Sequence, residues 1–146
     1  MYTIGPVLVD IIPKTDLVLF RQAEITGLKE DTGGLEEFAV IDHIGFGESK
    51  YVLIIEAKHG IPWLGLKQLM LSMKDASDRN TEVGADGKVY GFTTSGDGWH
   101  MVFYDGKGFH VSEKVFSVYE GMEKDKAKWL NSFSTIVDCL YAALLP

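Results

Sequence analysis

The sequence predicts an α/β (α+β) fold: a central mixed β-sheet with a β-β-β-α-β core flanked by helices, an additional β-hairpin and a long C-terminal helix. Three observations predict it. Apolar and β-branched runs mark six strands, whereas two stretches repeat their apolar residues at helical spacing. The second and third strands are joined by GFGES, a connection of hairpin length. A helix follows the third strand, and the right-handed crossover rule has it return the chain to a strand parallel to that one.

The elements follow in order. Pro6 and Pro13 exclude an uninterrupted helix over residues 1–15, which read as a short helical or irregular lead-in. LVLFRQAEI gives a first strand from Asp16 to about Thr26, and GLKEDTGG a loop. Leu35 to Ile44 is the second strand and Tyr51 to Lys58 the third. Gly60 and Pro62 break the chain, and Pro62 suits the first turn of a helix. That helix runs from Trp63 to about Arg79, with Leu66, Leu69, Met70, Met73 and Ala76 on one face. NTEVGADGK is a loop. Strands at Val89–Thr94, Trp99–Tyr104 and Phe109 to about Tyr119, the last interrupted, are separated by the hairpin signals SGDG and DGKG. Glu123 to Leu145 is the final helix. Its apolar side carries Trp129, Leu130, Phe133, Ile136, Val137, Leu140, Tyr141 and Leu144.

Composition sets the bounds. A chain of 146 residues suits one domain, 1–146. Hydrophobic residues are 46% and charged residues 24%, the balance of a soluble globular protein. No run approaches the ~20 apolar residues of a membrane span, so no membrane partner is expected. The start MYTIGPVLVDIIP lacks a basic leader and carries Asp10, unlike a signal peptide. Cys139 is the single cysteine and reads as a buried thiol. Together these lead to an intracellular expectation, cytoplasmic or nuclear. The net charge of −7 weighs against non-specific nucleic-acid binding by the whole surface, because phosphate contact is driven by Lys and Arg. It leaves room for a local basic face or an acidic metal site.

The chemistry gathers in KYVLIIEAKHG, residues 50–60. Strand alternation puts Glu56 and Lys58 on one face, with Val52 and Ile54 behind them. Two opposite charges at the end of an apolar strand are costly unless paired or used. An ion pair where the strand meets solvent is the plain reading, and a second acid nearby would give the sharper one. If paired residues of the hairpin sum to about 94, Asp42 lies opposite residue 52, roughly 14 Å up the hairpin from Glu56. Glu36 and Glu37 are the acids within reach. An even sum brings Glu36 to the Glu56 face and an odd sum Glu37, since a one-residue shift swaps faces. Glu37, the last acid before FAVI, is the favoured one.

In this order of elements the chain resembles the PD-(D/E)xK nuclease superfamily, the restriction-endonuclease-like fold. The resemblance covers residues 16–105: Glu37, GFGES, Glu56-Ala57-Lys58, then the helix from Pro62 with Gln68 in a Q-L context. YGFTTSGDGWHMVFYDG is similar to the strand pair after this core in nuclease-like proteins of fungal genomes. Glu36-Glu37 stands where the family has Pro-Asp, and only Asp10, Asp16 or Glu24 is available as a further acid from a preceding helix. The resemblance implies a nuclease acting on phosphodiesters, DNA before RNA. Glu37 and Glu56 would hold Mg²⁺ or Mn²⁺. Lys58 would stabilise charge in the transition state, and Gln68 would hold the water or a phosphate. The alternative is a nuclease-like fold without catalysis, serving as a binding or signalling module.

The remaining candidates read as structural. Asp42 and His43 fit a hairpin surface, and His59 a solvated loop. His100 and His110 lie in strands with nothing at metal-ligand spacing near them. No phosphate loop and no Ser or Cys nucleophile motif occurs. The broad apolar side of the last helix suits packing on its own sheet, or a homodimer contact.

Overall fold

A computed structural model describes residues 17–21, 36–45, 48–57, 62–94, 98–116, 121 and 123–145. Seven strands and two helices lie among them, in one mixed sheet. They are β1 (Leu17–Arg21), β2 (Glu36–Gly45), β3 (Glu48–Ala57), α1 (Pro62–Glu82), β4 (Val89–Thr94), β5 (Gly98–Tyr104), β6 (Phe109–Val111), β7 (Val115–Phe116) and α2 (Lys126–Leu144). The strands lie side by side in the order β1-β2-β3-β4-β5-β6, with β7 also on β5. Among the described strands only β3 and β4 pair in parallel, and α1 is the crossover between them. The expected lead-in over 1–15 and the far end of the first strand lie outside the described residues.

Alternation along the strands divides the core between two faces. Ala39, Ile54, Val89, Val102 and Tyr104 meet Leu69, Met73 and Ala76 of α1. Val40, Leu53, Ile55, Phe92 and Trp99 meet Ile136, Leu140 and Leu144 of α2. Gly91 sits under α1, where a Cβ would run into the Met73 sulfur and Leu69. A bare backbone at this position lets the helix approach β4. The last helix is packed by a narrow stripe only. Leu130 is 45% exposed and Tyr141 37% exposed, so these two do not belong to the buried side that the apolar periodicity suggests.

The hairpin register departs from a uniform sum. Phe38, Ala39 and Val40 pair with Ile55, Ile54 and Leu53, whereas Ile41 and Asp42 pair with Tyr51 and Lys50. Val52 is the extra residue of a β-bulge. Asp42 therefore stands opposite Lys50 and not residue 52. Val52 and Leu53 both pack toward α2, so Val52 does not line up behind Ile54 and Glu56.

α1 is longer than expected. It runs to Glu82 and ends at Gly84, whose φ of 79° suits the left-handed residue after a helix. Asn80, expected in a loop, is instead 0% exposed in the last turn. Its Oδ1 accepts from the Tyr51 N–H at 2.7 Å, and its Nδ2 donates to the Tyr51 carbonyl at 2.9 Å. β4 reaches only as far as Leu53 in this direction. Asn80 therefore serves Tyr51 as the next strand would, beside the bulge. The third hairpin strand is also split. β6 and β7 both pair with β5, and between them Ser112 substitutes for the ladder: its Oγ accepts from the Met101 N–H at 2.9 Å.

No helix among the described residues is long and apolar enough to cross a membrane.

Asn80→Ala removes both bonds to Tyr51. A buried polar group that loses its partner costs about 1–3 kcal/mol, so a loss of about 2 kcal/mol or more is expected in urea unfolding. Glu82→Ala, exposed two residues on, should change stability by less than about 0.5 kcal/mol.

Candidate functional site

The parallel pair β3–β4 brings two strand carboxyl ends together under the first half of α1. At this end one row of residues crosses four adjacent strands. Glu37 pairs with Glu56, Glu56 with Thr93, and Thr93 with His100. One step inward the equivalent row is Ala39, Ile54, Gly91 and Val102, without a polar side chain. The face that packs on α1 thus changes from apolar to polar within two residues along every strand. All four polar positions alternate with residues of the other core. Phe38, Ile55, Phe92 and Trp99 belong to the α2 side.

Glu56 is 1% exposed. Ser72 of α1 donates from Oγ to Glu56 Oε1 at 3.0 Å. Burying a carboxyl group is costly without such partners. Gln68 stands one helical turn before Ser72, on the same side of α1. Its Oε1 is buried, with no hydrogen-bond partner among the described residues.

His100 is partly buried, at the β5 end of the row. Its Nδ1 lies 3.2 Å from the Ser112 carbonyl oxygen, in the gap between β6 and β7. A carbonyl only accepts, so Nδ1 carries the hydrogen. Thr94 Oγ1 donates to the Gly98 carbonyl at 2.8 Å and ties β4 to β5 at the outer lip of the site. The Lys114 stem covers Gly98, where a Cβ would meet Lys114 Cε at 2.6 Å. Positions 98 and 100 share a face, so Lys114 brings a cation to the same lip. Its ammonium lies 5.1 Å from the centre of the Phe116 ring.

Of the residues expected from the sequence, Glu37 and Glu56 stand directly opposite each other, with Glu36 opposite Ala57. Gln68 lies on the helix that covers them. Lys58 and His59 fall outside the described residues, as do the side chains of Glu36, Glu37 and His43. Asp42 lies at the far end of the hairpin, and His110 bonds Asp105 at 3.0 Å on an exposed turn. The Asp105 carboxyl is held well below the usual carboxylate range by His110, with the Gly108 and Lys107 N–H groups adding to the effect. No group of three or more metal-ligating side chains occurs among the described residues.

Comparison of the chain with protein-family models, with curated proteins and with solved structures found no match. The site is therefore read from its own geometry.

Sequence reasoning missed Ser72, Thr93 and Lys114, and set His100 aside for lack of ligand spacing. A signal was available for two of them. Thr93 and His100 are polar residues at inward positions of otherwise apolar strands. Their alignment with Glu56 depends on the β3–β4 register, which the crossover helix sets.

Ser72→Ala should destabilise the fold by about 1–3 kcal/mol in chemical unfolding, since Glu56 stays buried and loses a donor. Ser134→Ala, exposed on α2, should leave the midpoint within about 0.5 kcal/mol.

Proposed function

We propose that the chain is a divalent-metal-dependent nuclease that hydrolyses phosphodiester bonds, with DNA the substrate before RNA. One observation carries the reading: two acidic residues directly opposed on adjacent strands, Glu37 and Glu56, at the carboxyl end of the only parallel pair among the described strands. Sheets avoid like charges in directly opposed positions. Such a pair is retained where a cation, from a side chain or from solvent, offsets the repulsion. Ligands of open α/β sheets bind at this edge, beyond the strand carboxyl ends.

The donor set fits a hard cation. Glu37 and Glu56 offer carboxylate oxygens, the ligands that Mg²⁺ and Mn²⁺ favour. When bound, the ion supplies positive charge against the scissile phosphate and makes nearby water more acidic. The chain's own groups do the rest. Ser72 fixes the Glu56 carboxyl group through Oε1. Gln68 Oε1 is an acceptor suited to holding the attacking water. Lys58, two residues beyond Glu56, supplies charge that counts most in the transition state. Lys114 offers a second cation for a neighbouring phosphate.

A second reading rests on the burial of Glu56, 1% exposed and already bonded to Ser72. Held this way, the carboxyl group would serve the fold of a nuclease-like binding module without catalysis.

Thermal unfolding with and without millimolar Mn²⁺ tests the metal. Binding to the folded state raises stability by about 2.7 kcal/mol at a hundredfold excess over Kd. The wild type should show a clear rise in Tm, and Glu56→Gln should lose it. No rise in the wild type would remove the metal and the nuclease with it. Lys58→Ala should lower the rate of DNA cleavage by about 10²-fold or more while Tm stays unchanged. A metal-dependent rise in Tm without cleavage of duplex DNA, single strands or RNA would establish the binding module instead.

A further inference from the structure

The His100 end of the polar row has chemistry that the two acids do not supply. We propose that His100 is the general acid of this site and protonates the leaving oxygen of the scissile phosphodiester; the proposal rests on the nuclease reading.

Three observations lead to it. First, the register aligns His100 with Glu56 across Thr93, on the same face of the sheet. Two strand spacings of about 4.8 Å separate their Cα atoms by roughly 10 Å. Glu56 and Thr93 are covered, so a phosphate meets this row from its outer end, beyond the strand carboxyl ends, where His100 is partly exposed.

Second, the ring is oriented. Nδ1–H donates to the Ser112 carbonyl at 3.2 Å, which sits in the break between β6 and β7. Nε2 is the nitrogen left for the site. In the imidazolium both nitrogens carry hydrogen. When Nε2–H gives up its proton, the ring becomes the neutral tautomer that the Ser112 bond already requires. No rearrangement is needed in the step.

Third, His100 is partly exposed while Glu56 and Thr93 are buried, so it meets solvent and ligand at the edge of the row. Trp99 and Met101 on either side are held in the other core. These anchors set the direction of His100.

The step balances as follows. Water adds to phosphorus, forming one P–O bond and releasing a proton to solvent. The P–O bond to the leaving nucleoside breaks, and its electron pair goes to the leaving oxygen. That oxygen takes the proton from His100 Nε2 and departs as an alcohol. The neutral imidazole is reprotonated from solvent.

The test compares two substrates in the full chain. One is ordinary duplex DNA. In the other, the bridging oxygen on the leaving side, identified from the ends of the wild-type products, is replaced by sulfur. A thiolate leaves without a proton, so it has no need of a general acid. His100→Asn keeps an amide donor near Nδ1 for the Ser112 carbonyl and removes Nε2. His100→Gln sets an amide near Nε2 that cannot give up a proton at neutral pH. Both should cleave ordinary DNA about 10²-fold or more slowly than wild type. Both should cleave the sulfur-bridged DNA within a few-fold of wild type, with unchanged Tm. Equal losses on the two substrates would overturn the proposal, as would wild-type rates on ordinary DNA, and the nuclease reading would stand. If only the Asn variant folds, the same comparison on that variant decides. A wild type that cleaves neither substrate with Mg²⁺ or Mn²⁺ would overturn both the proposal and the nuclease reading.

Discussion

The β2–β3 hairpin carries two register shifts, one that leaves Ile44 of β2 without an opposite residue near the turn and one that does the same for Val52 of β3, and much of the molecule follows from the second. Nearer the turn, Ile41 and Asp42 face Tyr51 and Lys50, an even register. Continued without a break, it would set Glu36 opposite Glu56. The extra Val52 changes the parity, and Glu37 takes that position. A one-residue change of register exchanges the faces of every later side chain. The same step sends Ala39 and Ile54 toward α1, and Phe38, Val40, Leu53 and Ile55 toward α2. Both cores and the acidic pair therefore depend on where these two shifts fall.

The start of β3 also carries backbone groups that β4 does not reach. Tyr51 lies beyond the reach of β4, and the Asn80 side chain supplies a donor and an acceptor to it. Since buried backbone groups must be paired, the last turn of α1 is tied to the start of β3. At the middle of the same helix Ser72 bonds Glu56. α1 is thus held to β3 by two polar contacts two turns apart, beside its apolar stripe of Leu69, Met73 and Ala76. Hydrophobic burial is non-directional, so these bonds are what define the position of the helix along the strand. The position matters because Gln68 is carried with it.

A related substitution occurs at the opposite edge. β5 is paired by two short strands, and Ser112 fills the break with its hydroxyl and its backbone. The break leaves a carbonyl for His100 to bond. Irregular places in a sheet re-aim side chains. Here both irregularities, the bulge in β3 and the gap beside β5, bear on members of one polar row. The inward row of Ala39, Ile54, Gly91 and Val102 supplies the contrast: regular pairing and nothing but apolar packing.

What the sequence determined by itself was the order and type of the elements. Alternation, hairpin glycines and helical spacing are local signals, and they marked both helices and the strands from Glu36 to Val111. The mixed sheet with a parallel β3–β4 pair followed from chain connectivity, because a helix between two strands of one sheet leaves little other choice. Glu56 was also legible, as a carboxylate closing an apolar run. What only the tertiary structure decided was register. Whether Glu36 or Glu37 stands opposite Glu56 depends on two register shifts, one in each strand, that no residue of either run announces. Whether Thr93 and His100 line up with Glu56 depends on the length of α1 and the angle at which it packs. Leu130 and Tyr141 repeat at helical spacing with the buried residues of α2, yet both are exposed in the folded chain. Local pattern names a face. The partner that covers the face, and the residue that stands opposite, are set by distant parts of the chain, through packing and hydrogen bonds that exist only once it has folded.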